Sequence, residues 1–222
     1  MAFGPIMQLE INDLSLELAP LSKEVMGEFV SPGMQQLSIT KYLSRHTAPV
    51  LEDEVEWFER ARTEKDSVIW GIYVIDGDKR TLIGSTSLMS ITNQHTIQSV
   101  SGSLIFRKEF WGSGIASAIH KARTWYAFEH LGYTRIKSAV IHGNVASRKA
   151  LEKSGYALVY VERNVEYIDG KLRHQDNLEC LNPSDVAWRL WWGDERPTKQ
   201  SREARQRTIE AMDWARSHIT LM

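Results

Sequence analysis

Cysteine is nearly absent. A single one, Cys180, occurs among 222 residues, which excludes an intramolecular disulfide and a Cys-rich zinc site and fits a reducing compartment. An excess of one charge is also missing: 27 Lys and Arg stand against 28 Asp and Glu, for a formal charge of -1. Nucleic-acid binders draw phosphate affinity from a basic excess, so nucleic acid is not an expected partner. No hydrophobic run approaches a membrane span, and the first residues lack the basic-then-apolar pattern of a signal peptide. A cytoplasmic protein without a membrane partner is expected. None of the seven histidines has metal-ligand spacing with carboxylates or Cys180, and no metal is expected. Internal repeats and low-complexity segments are lacking too.

Hydrophobic residues, by contrast, make up 42% of the chain, enough for one good-sized core or one domain plus an extension. Leu14, Leu16 and Leu18 alternate with polar residues as an opening strand, followed by a short helix around Ser22 to Phe29 and a loop-rich stretch from Ser31 to Pro49. Leu51, Val55, Phe58 and Ala61 form one face of an acid-started helix, and the apolar run Val68 to Ile75 suits a central strand. Beyond the turn Asp76-Gly77-Asp78, Thr81 to Ile91 and Ile97 to Phe106 complete an antiparallel meander.

The densest signal lies between Gly102 and Lys171. Ser103-Leu104-Ile105-Phe106 is β-prone and leads into Phe110-Trp111-Gly112-Ser113-Gly114-Ile115-Ala116-Ser117, after which Ile115, Ile119, Ala122 and Tyr126 recur at helical spacing. Gly112 and Gly114 let the backbone curl with no Cβ in the way. Successive N–H groups and the positive end of the helix then face one anionic ligand such as a pyrophosphate. A β-prone segment, Ile136 to Ile141, separates this turn from Gly143-Asn144-Val145-Ala146-Ser147-Arg148-Lys149-Ala150-Leu151-Glu152-Lys153-Ser154-Gly155-Tyr156. That second motif reads as a short helix with Asn144 as N-cap and Gly155 as its stop.

The order strand, Gly turn, helix, strand, Asn-capped helix, Gly-Tyr, strand resembles the GNAT superfamily of acyl-CoA-dependent N-acetyltransferases. The likeness covers Leu14 to about Leu181. Trp111 departs from the family's Gln or Arg, but a Trp-Gly-x-Gly turn followed by Asn-x-x-Ser is similar to the branch of ribosomal-protein N-terminal acetyltransferases. The resemblance implies an α/β (α+β) fold: a mixed, mostly antiparallel twisted sheet flanked by helices over residues 1–182, with a helical extension, 183–222, packed on it. It implies acetyl-CoA as cosubstrate and direct transfer to a primary amine, either a protein N-terminus or a small molecule.

Amide formation from a thioester needs a neutral amine, stabilisation of the oxyanion and a proton for the departing thiolate. The resemblance gives the pantetheine arm to the main chain of Leu104, Ile105 and Phe106. It gives the phosphates to Trp111, Gly112, Ser113, Gly114, Ile115, Ala116 and Ser117, and places Asn144 and Ser147 beside the cosubstrate. Leu151 stands where many family members carry an acid Tyr, so Ser147 is the candidate proton donor; its other reading is a first-turn residue bonding its own backbone.

Along the next strand Val159, Val161, Val165 and Tyr167 alternate with Tyr160, Glu162, Asn164 and Glu166, giving one apolar and one polar face. Glu166 matches the branch's base, acting through water, and otherwise is a solvated strand carboxylate. His142 is the reserve base. Cys180, in an apolar strand, is expected to be inert packing.

In the tail, Pro183-Ser184-Asp185 starts a helix crowded with Trp188, Trp191 and Trp192. Lys199, Arg202, Arg205 and Arg207 stud a second helix, whose apolar stripe is Ile209, Met212, Ala215 and Ile219. Packing on its own domain is the expected role; a lid, a homodimer arm and a docking surface are the others. Two further functions stay open: a non-catalytic acyl-CoA-binding module, and a ribosome- or RNA-associated accessory using the basic tail.

Overall fold

The computed structural model describes residues 3–44, 47–92 and 97–222. They form two compact units interleaved in sequence. The first holds the residues up to Met89 with Gly102–Ile115 and Ile219–Met222; the second holds Ser90–Ser101 and Ala116–His218.

In the first unit, β1 (Met7–Ile11) and β2 (Leu14–Ala19) form a hairpin whose tip, Asn12 and Asp13, adopts positive φ. Helical turns over residues 23–30 cover the expected short helix, Ser31 and Gly33 then take non-helical backbone angles, and one more turn, Leu37–Thr40, lies within the expected loop region. Next comes α1 (Leu51–Ala61), whose Asp53 carboxylate accepts the Val50 N–H at 2.9 Å and satisfies one donor at the helix start. Its apolar face keeps three of the four expected residues. Leu51 is exposed, whereas Val55, Trp57 and Phe58 pack against the core and Ala61 is buried.

β3 (Ser67–Asp76) is buried from Ser67 through Val74, as its unbroken apolar run requires of a strand covered on both faces. It pairs antiparallel with β2 and with β4 (Lys79–Thr92), and β5 (Gln98–Ile105) lies beyond β4. The core of this unit gathers Leu21, Met26, Phe29, Ile69, Tyr73 and Phe106.

Both β4 and β5 run from one unit into the other. In the second unit the start of β5, Gln98–Val100, pairs parallel with Arg135–Lys137. α2 (Ile115–Trp125) buries Ile119 and Ala122, and the turn after it buries Tyr126. β6 (Arg135–Ile141) leads to α3 (Val145–Glu152), then to β7 (Ala157–Ile168) and β8 (Lys171–Leu181), a hairpin closed by Asp169 and Gly170 at positive φ. β8 is antiparallel to both β6 and β7. The expected mixed, mostly antiparallel sheet flanked by helices is thus what the chain forms.

α4 (Asp185–Trp192) starts on Ser184, whose hydroxyl accepts the Ala187 N–H at 3.3 Å, and α5 (Lys199–His218) buries Ala204, Thr208, Ala211, Met212 and Ala215. Arg205 bonds the Pro183 carbonyl and Asp185, and Arg207 donates to the Glu152 carbonyl at 3.1 Å, so part of the basic face serves intramolecular contacts. Ile219 does not continue the helical stripe. Ile219–Leu221 form β9, antiparallel to β1 in the first unit. β-prone Ile-Thr-Leu ends the helix by offering its backbone to a strand edge instead.

Candidate active site

The glycine turn is fastened on the side of the protein. Arg107, at its entry, pairs with Glu28 at 2.5 Å and donates to the Leu82 carbonyl at 2.9 Å. Asn12 Nδ2 donates to the Ser113 carbonyl at 2.9 Å, and the Ser113 hydroxyl donates to the Phe110 carbonyl at 2.6 Å. Two carbonyls that would repel an anion are therefore occupied by protein donors. Among the described residues the N–H groups of Gly112, Ser113 and Gly114 meet no protein acceptor.

Gly112 has φ +80°, and a Cβ there would have nothing within 4 Å; Gly114 has φ +91°, and a Cβ there would meet only Asn12 Nδ2, at 3.8 Å. What makes these positions glycine is the backbone conformation and an open space in front of it, not crowding by the protein. Such a cradle, with donors outward at the start of α2, fits a pyrophosphate.

The strand before the turn is partly engaged within the protein. Phe106 is buried and its N–H donates to the Ile83 carbonyl at 2.9 Å; the Ile105 carbonyl accepts the Trp111 indole N–H at 2.9 Å. Trp111 itself is half exposed. A Cβ on Gly84 would stand 2.0 Å from the Leu104 carbonyl, so β4 and β5 approach closely there.

In the second unit Asn144 caps α3 as its sequence position implies, its Oδ1 accepting the Ser147 N–H at 3.3 Å. The two predicted residues are thus brought together. Past the end of β6, the reserve base His142 bonds Asp176 at 2.8 Å; Asp176 also pairs with Arg148 at 2.5 Å, and Arg148 with Glu152 at 2.7 Å. Arg148 and Asp176 were not singled out by sequence reasoning, because only the fold sets α3 over β8.

Glu166 is half-buried and lies opposite Arg173 in the β7–β8 register. Alternation along β8 puts Arg173 and Asp176 on opposite faces of that sheet. The ion pair to Arg148 places α3, with Asn144 and Ser147, on the Asp176 face. Glu166 therefore belongs to one face and the helix carrying Ser147 to the other, with His142 on the α3 side.

The two-faced reading of β7 does not hold. Val159, Tyr160, Val161 and Tyr167 are all exposed. The register slips between Leu158 and Tyr160, where Val159 is extra and the faces exchange, and again between Glu162 and Glu166.

A cleft of about 490 Å³ in the first unit is a feature the sequence did not reveal. Its walls include Phe29, Trp57, Asp53, Glu54, Glu56 and Leu104. Phe29 and Trp57 contact each other with ring centroids 6.0 Å apart. Arg60 pairs with Glu56 at 2.9 Å, leaving a net acidic lining. The acidic start of α1 read only as helix-end chemistry, and a local pattern cannot tell that these carboxylates converge with aromatics from distant segments.

Cys180 is fully buried, and burial above all pushes its thiol pKa up to about 12. Arg45 and His46, in the loop-rich stretch from Ser31 to Pro49, and Asn93–Thr96, at the junction of the two meander strands, lie outside the described residues. Among the described residues no helix is long and apolar enough to cross a membrane, and no group of three or more His, Cys, Asp or Glu side chains is arranged to hold a metal ion.

The family model described as the acetyltransferase (GNAT) domain matches residues 15–157. The "Probable N-acetyltransferase YjcK" of Bacillus subtilis is 31% identical over 125 residues, 56% of this chain and 67% of that protein. The "Uncharacterized N-acetyltransferase YoaA" of the same organism is 27% identical over 135 residues, 60% of this chain and 74% of that protein. Among solved structures, spermidine N-acetyltransferase from Vibrio cholerae in complex with CoA and spermine has a TM-score of 0.67 at 17% identity, covering 75% of this chain and 95% of that one. RimJ from Mycobacterium smegmatis in complex with CoA-disulfide also has a TM-score of 0.67 at 17% identity, covering 85% and 93%. These structural likenesses establish a shared fold.

Proposed function

This chain belongs to the GNAT acetyltransferase family and is an acetyl-CoA-dependent N-acetyltransferase, and we propose that its acceptor is a primary amine bearing further positive charge that enters through the acidic, aromatic cleft beside α1. The observation that carries this reading is the lining of that cleft. With Glu56 paired to Arg60, the Asp53 and Glu54 carboxylates leave the wall net acidic and attract ammonium groups, and the faces of Trp57 and Phe29 attract them further. Leu104 lines the same cleft and lies on the strand that the family resemblance gives to the cosubstrate arm. The Vibrio cholerae neighbour, crystallised with CoA and spermine, supports a small polycation. The Trp-Gly-x-Gly and Asn-x-x-Ser motifs, with the RimJ neighbour, favour a protein N-terminus as the second reading.

Bound acetyl-CoA supplies a thioester whose acyl carbon an uncharged amine attacks, so that a C–N bond forms as the C–S bond breaks. The proposed roles of the chain follow from that. The N–H groups of Gly112, Ser113 and Gly114, with Ile115, Ala116 and Ser117 at the start of α2, hold the phosphates. Trp111, the main chain of Leu104–Phe106 and Asn144 position the arm. Glu166 takes the amine proton through water, and Ser147 gives a proton to the sulfur. Cys180, buried with its pKa near 12, stays a thiol, which supports direct transfer without an acyl-enzyme at that residue.

Acetylation of a panel of polyamines, monoamines and peptides, followed by mass spectrometry, tests the acceptor. Polyamines are expected to react with kcat/KM at least about tenfold above that of matched monoamines, and Trp57→Ala to raise the polyamine KM about tenfold with kcat little changed. Equal rates for monoamines, or reaction of peptide N-termini alone, would overturn the polycation reading.

The cosubstrate site has its own test. Valine at Gly114 would need φ near +91°, a region closed to β-branched residues. Gly114→Val is expected to raise the CoA dissociation constant at least about tenfold by calorimetry, or roughly 1.4 kcal/mol. Unchanged affinity in the folded variant removes the cradle from the proposal.

A further inference from the structure

Between Glu162 and Glu166, three residues of β7 stand against His174 alone, because Glu162 pairs with Gln175 and Glu166 with Arg173. The middle residue, Asn164, has φ +56°, and its N–H donates to His174 Nδ1 at 3.1 Å. A backbone donor pushed out of the ladder has thus been taken up by an imidazole. His174 is itself held on its other side: its carbonyl accepts the His142 N–H at 2.8 Å, and the two rings meet with centroids 5.4 Å apart. The bulge ends at the residue before Glu166, so its geometry sets where the Glu166 carboxylate points.

We propose that His174 is a positioning residue for catalysis, a neutral imidazole whose Nδ1 clamps the Asn164 bulge and so aims Glu166. The inference rests on the proposed role of Glu166 as the base. Nδ1 can accept the Asn164 N–H only while the ring carries its proton on Nε2, and protonation turns both ring nitrogens into donors. The clamp therefore requires the neutral ring.

The charged and titratable groups around His174 are His142 past the end of β6, Arg173 and Asp176 on β8, Arg148 with Glu152 on α3, and Glu162, Arg163 and Glu166 on β7. Of these, the His142–Asp176 pair, 2.8 Å apart, and the Arg148–Asp176 pair, 2.5 Å apart, lie on the His174 face.

The experiment is a pH-rate profile of the full chain with saturating acetyl-CoA, for wild type, His174→Gln, His174→Leu and Glu166→Gln. Gln offers an amide oxygen to the Asn164 N–H and does not titrate, so His174→Gln is expected to keep neutral-pH kcat within about twofold. Its pH-rate profile should differ from the wild type's on the acid side, because Gln keeps the bond to the Asn164 N–H at every pH. His174→Leu should lower kcat about tenfold with CoA affinity unchanged, and combined with Glu166→Gln it should add little.

An acid limb identical in wild type and His174→Gln, or full additivity of His174→Leu with Glu166→Gln, overturns the clamp. If Glu166→Gln alone is fully active, the reading of Glu166 fails instead, and the two failures are told apart. Should His174→Leu not fold, the His174→Gln profile still decides.

Discussion

Glu166→Gln is expected to lower turnover by about a hundredfold at neutral pH, the usual size of a general-base contribution, while CoA affinity stays nearly unchanged. The amide keeps the size and part of the hydrogen bonding of the carboxylate but cannot take a proton. The deficit should shrink as pH rises toward the amine's own titration, because the nucleophile then arrives uncharged without help. Ser147→Ala should cost less, since water can protonate the thiolate.

The proposal assigns these two roles to residues on different faces of the second unit's sheet. Glu166 shares a face with Arg173, whereas Ser147 and Asn144 belong to the helix on the Asp176 face. In the proposed mechanism the proton leaving the amine is relayed by water to Glu166, and the sulfur is protonated by Ser147. Steady-state rates over a range of pH check it. Full activity of Glu166→Gln at neutral pH would leave the carboxylate a solvated strand residue and make His142, held by Asp176, the next base to test.

What could be read before the structure was whatever depends on a few consecutive residues. The Gly112–Gly114 turn, the Asn144 cap with its bond to the Ser147 N–H, the Ser184 cap and the Asp169-Gly170 hairpin all follow from φ preferences and local hydrogen bonding. The unbroken burial of β3 followed from its apolar run.

The reading of β7 failed where a period of two assumes an uninterrupted ladder. One extra residue at Val159 exchanges the faces, and nothing in Leu-Val-Tyr-Val announces it. Ile219 was misplaced because helical spacing does not say when a strand edge competes for the backbone. The acidic cleft was invisible for a different reason: Phe29, Trp57 and Leu104 lie far apart in sequence, and only the packed first unit brings them to one wall. Glu166, His174 and Asp176 show the same division. Glu166 is singled out by a motif, whereas what its strand pairs with comes from cross-strand register.

Gly155→Ala should be among the most destabilising single-methyl changes in the chain, at about 3 kcal/mol or more. The sequence marks Gly155 as the stop of α3, and its φ of +90° fits that role. A helix stop alone would tolerate alanine at a cost of about 1–2 kcal/mol for the left-handed backbone.

Here a second constraint is added. A Cβ at Gly155 would lie 1.9 Å from the Thr208 hydroxyl and 2.8 Å from both the Thr208 Cβ and its main-chain nitrogen, in the middle of α5. Thr208 is buried, and its hydroxyl donates to the Ala204 carbonyl at 2.9 Å, so it has no open space to rotate into. The helix must move away, and with it the packing of Ala204, Ala211 and Ala215; overpacking of this kind typically costs about 1–3 kcal/mol more.

Chemical denaturation of the wild type, Gly155→Ala, Thr208→Ala and the double variant separates the two contributions. Thr208→Ala removes the hydroxyl but leaves the Cβ and the main-chain nitrogen in place, so it should rescue only part of the loss. Complete rescue would mean that the backbone conformation costs nothing. No rescue at all would mean that the left-handed backbone together with the Cβ and main-chain nitrogen of position 208, and not the Thr208 hydroxyl, sets the limit on what position 155 can carry.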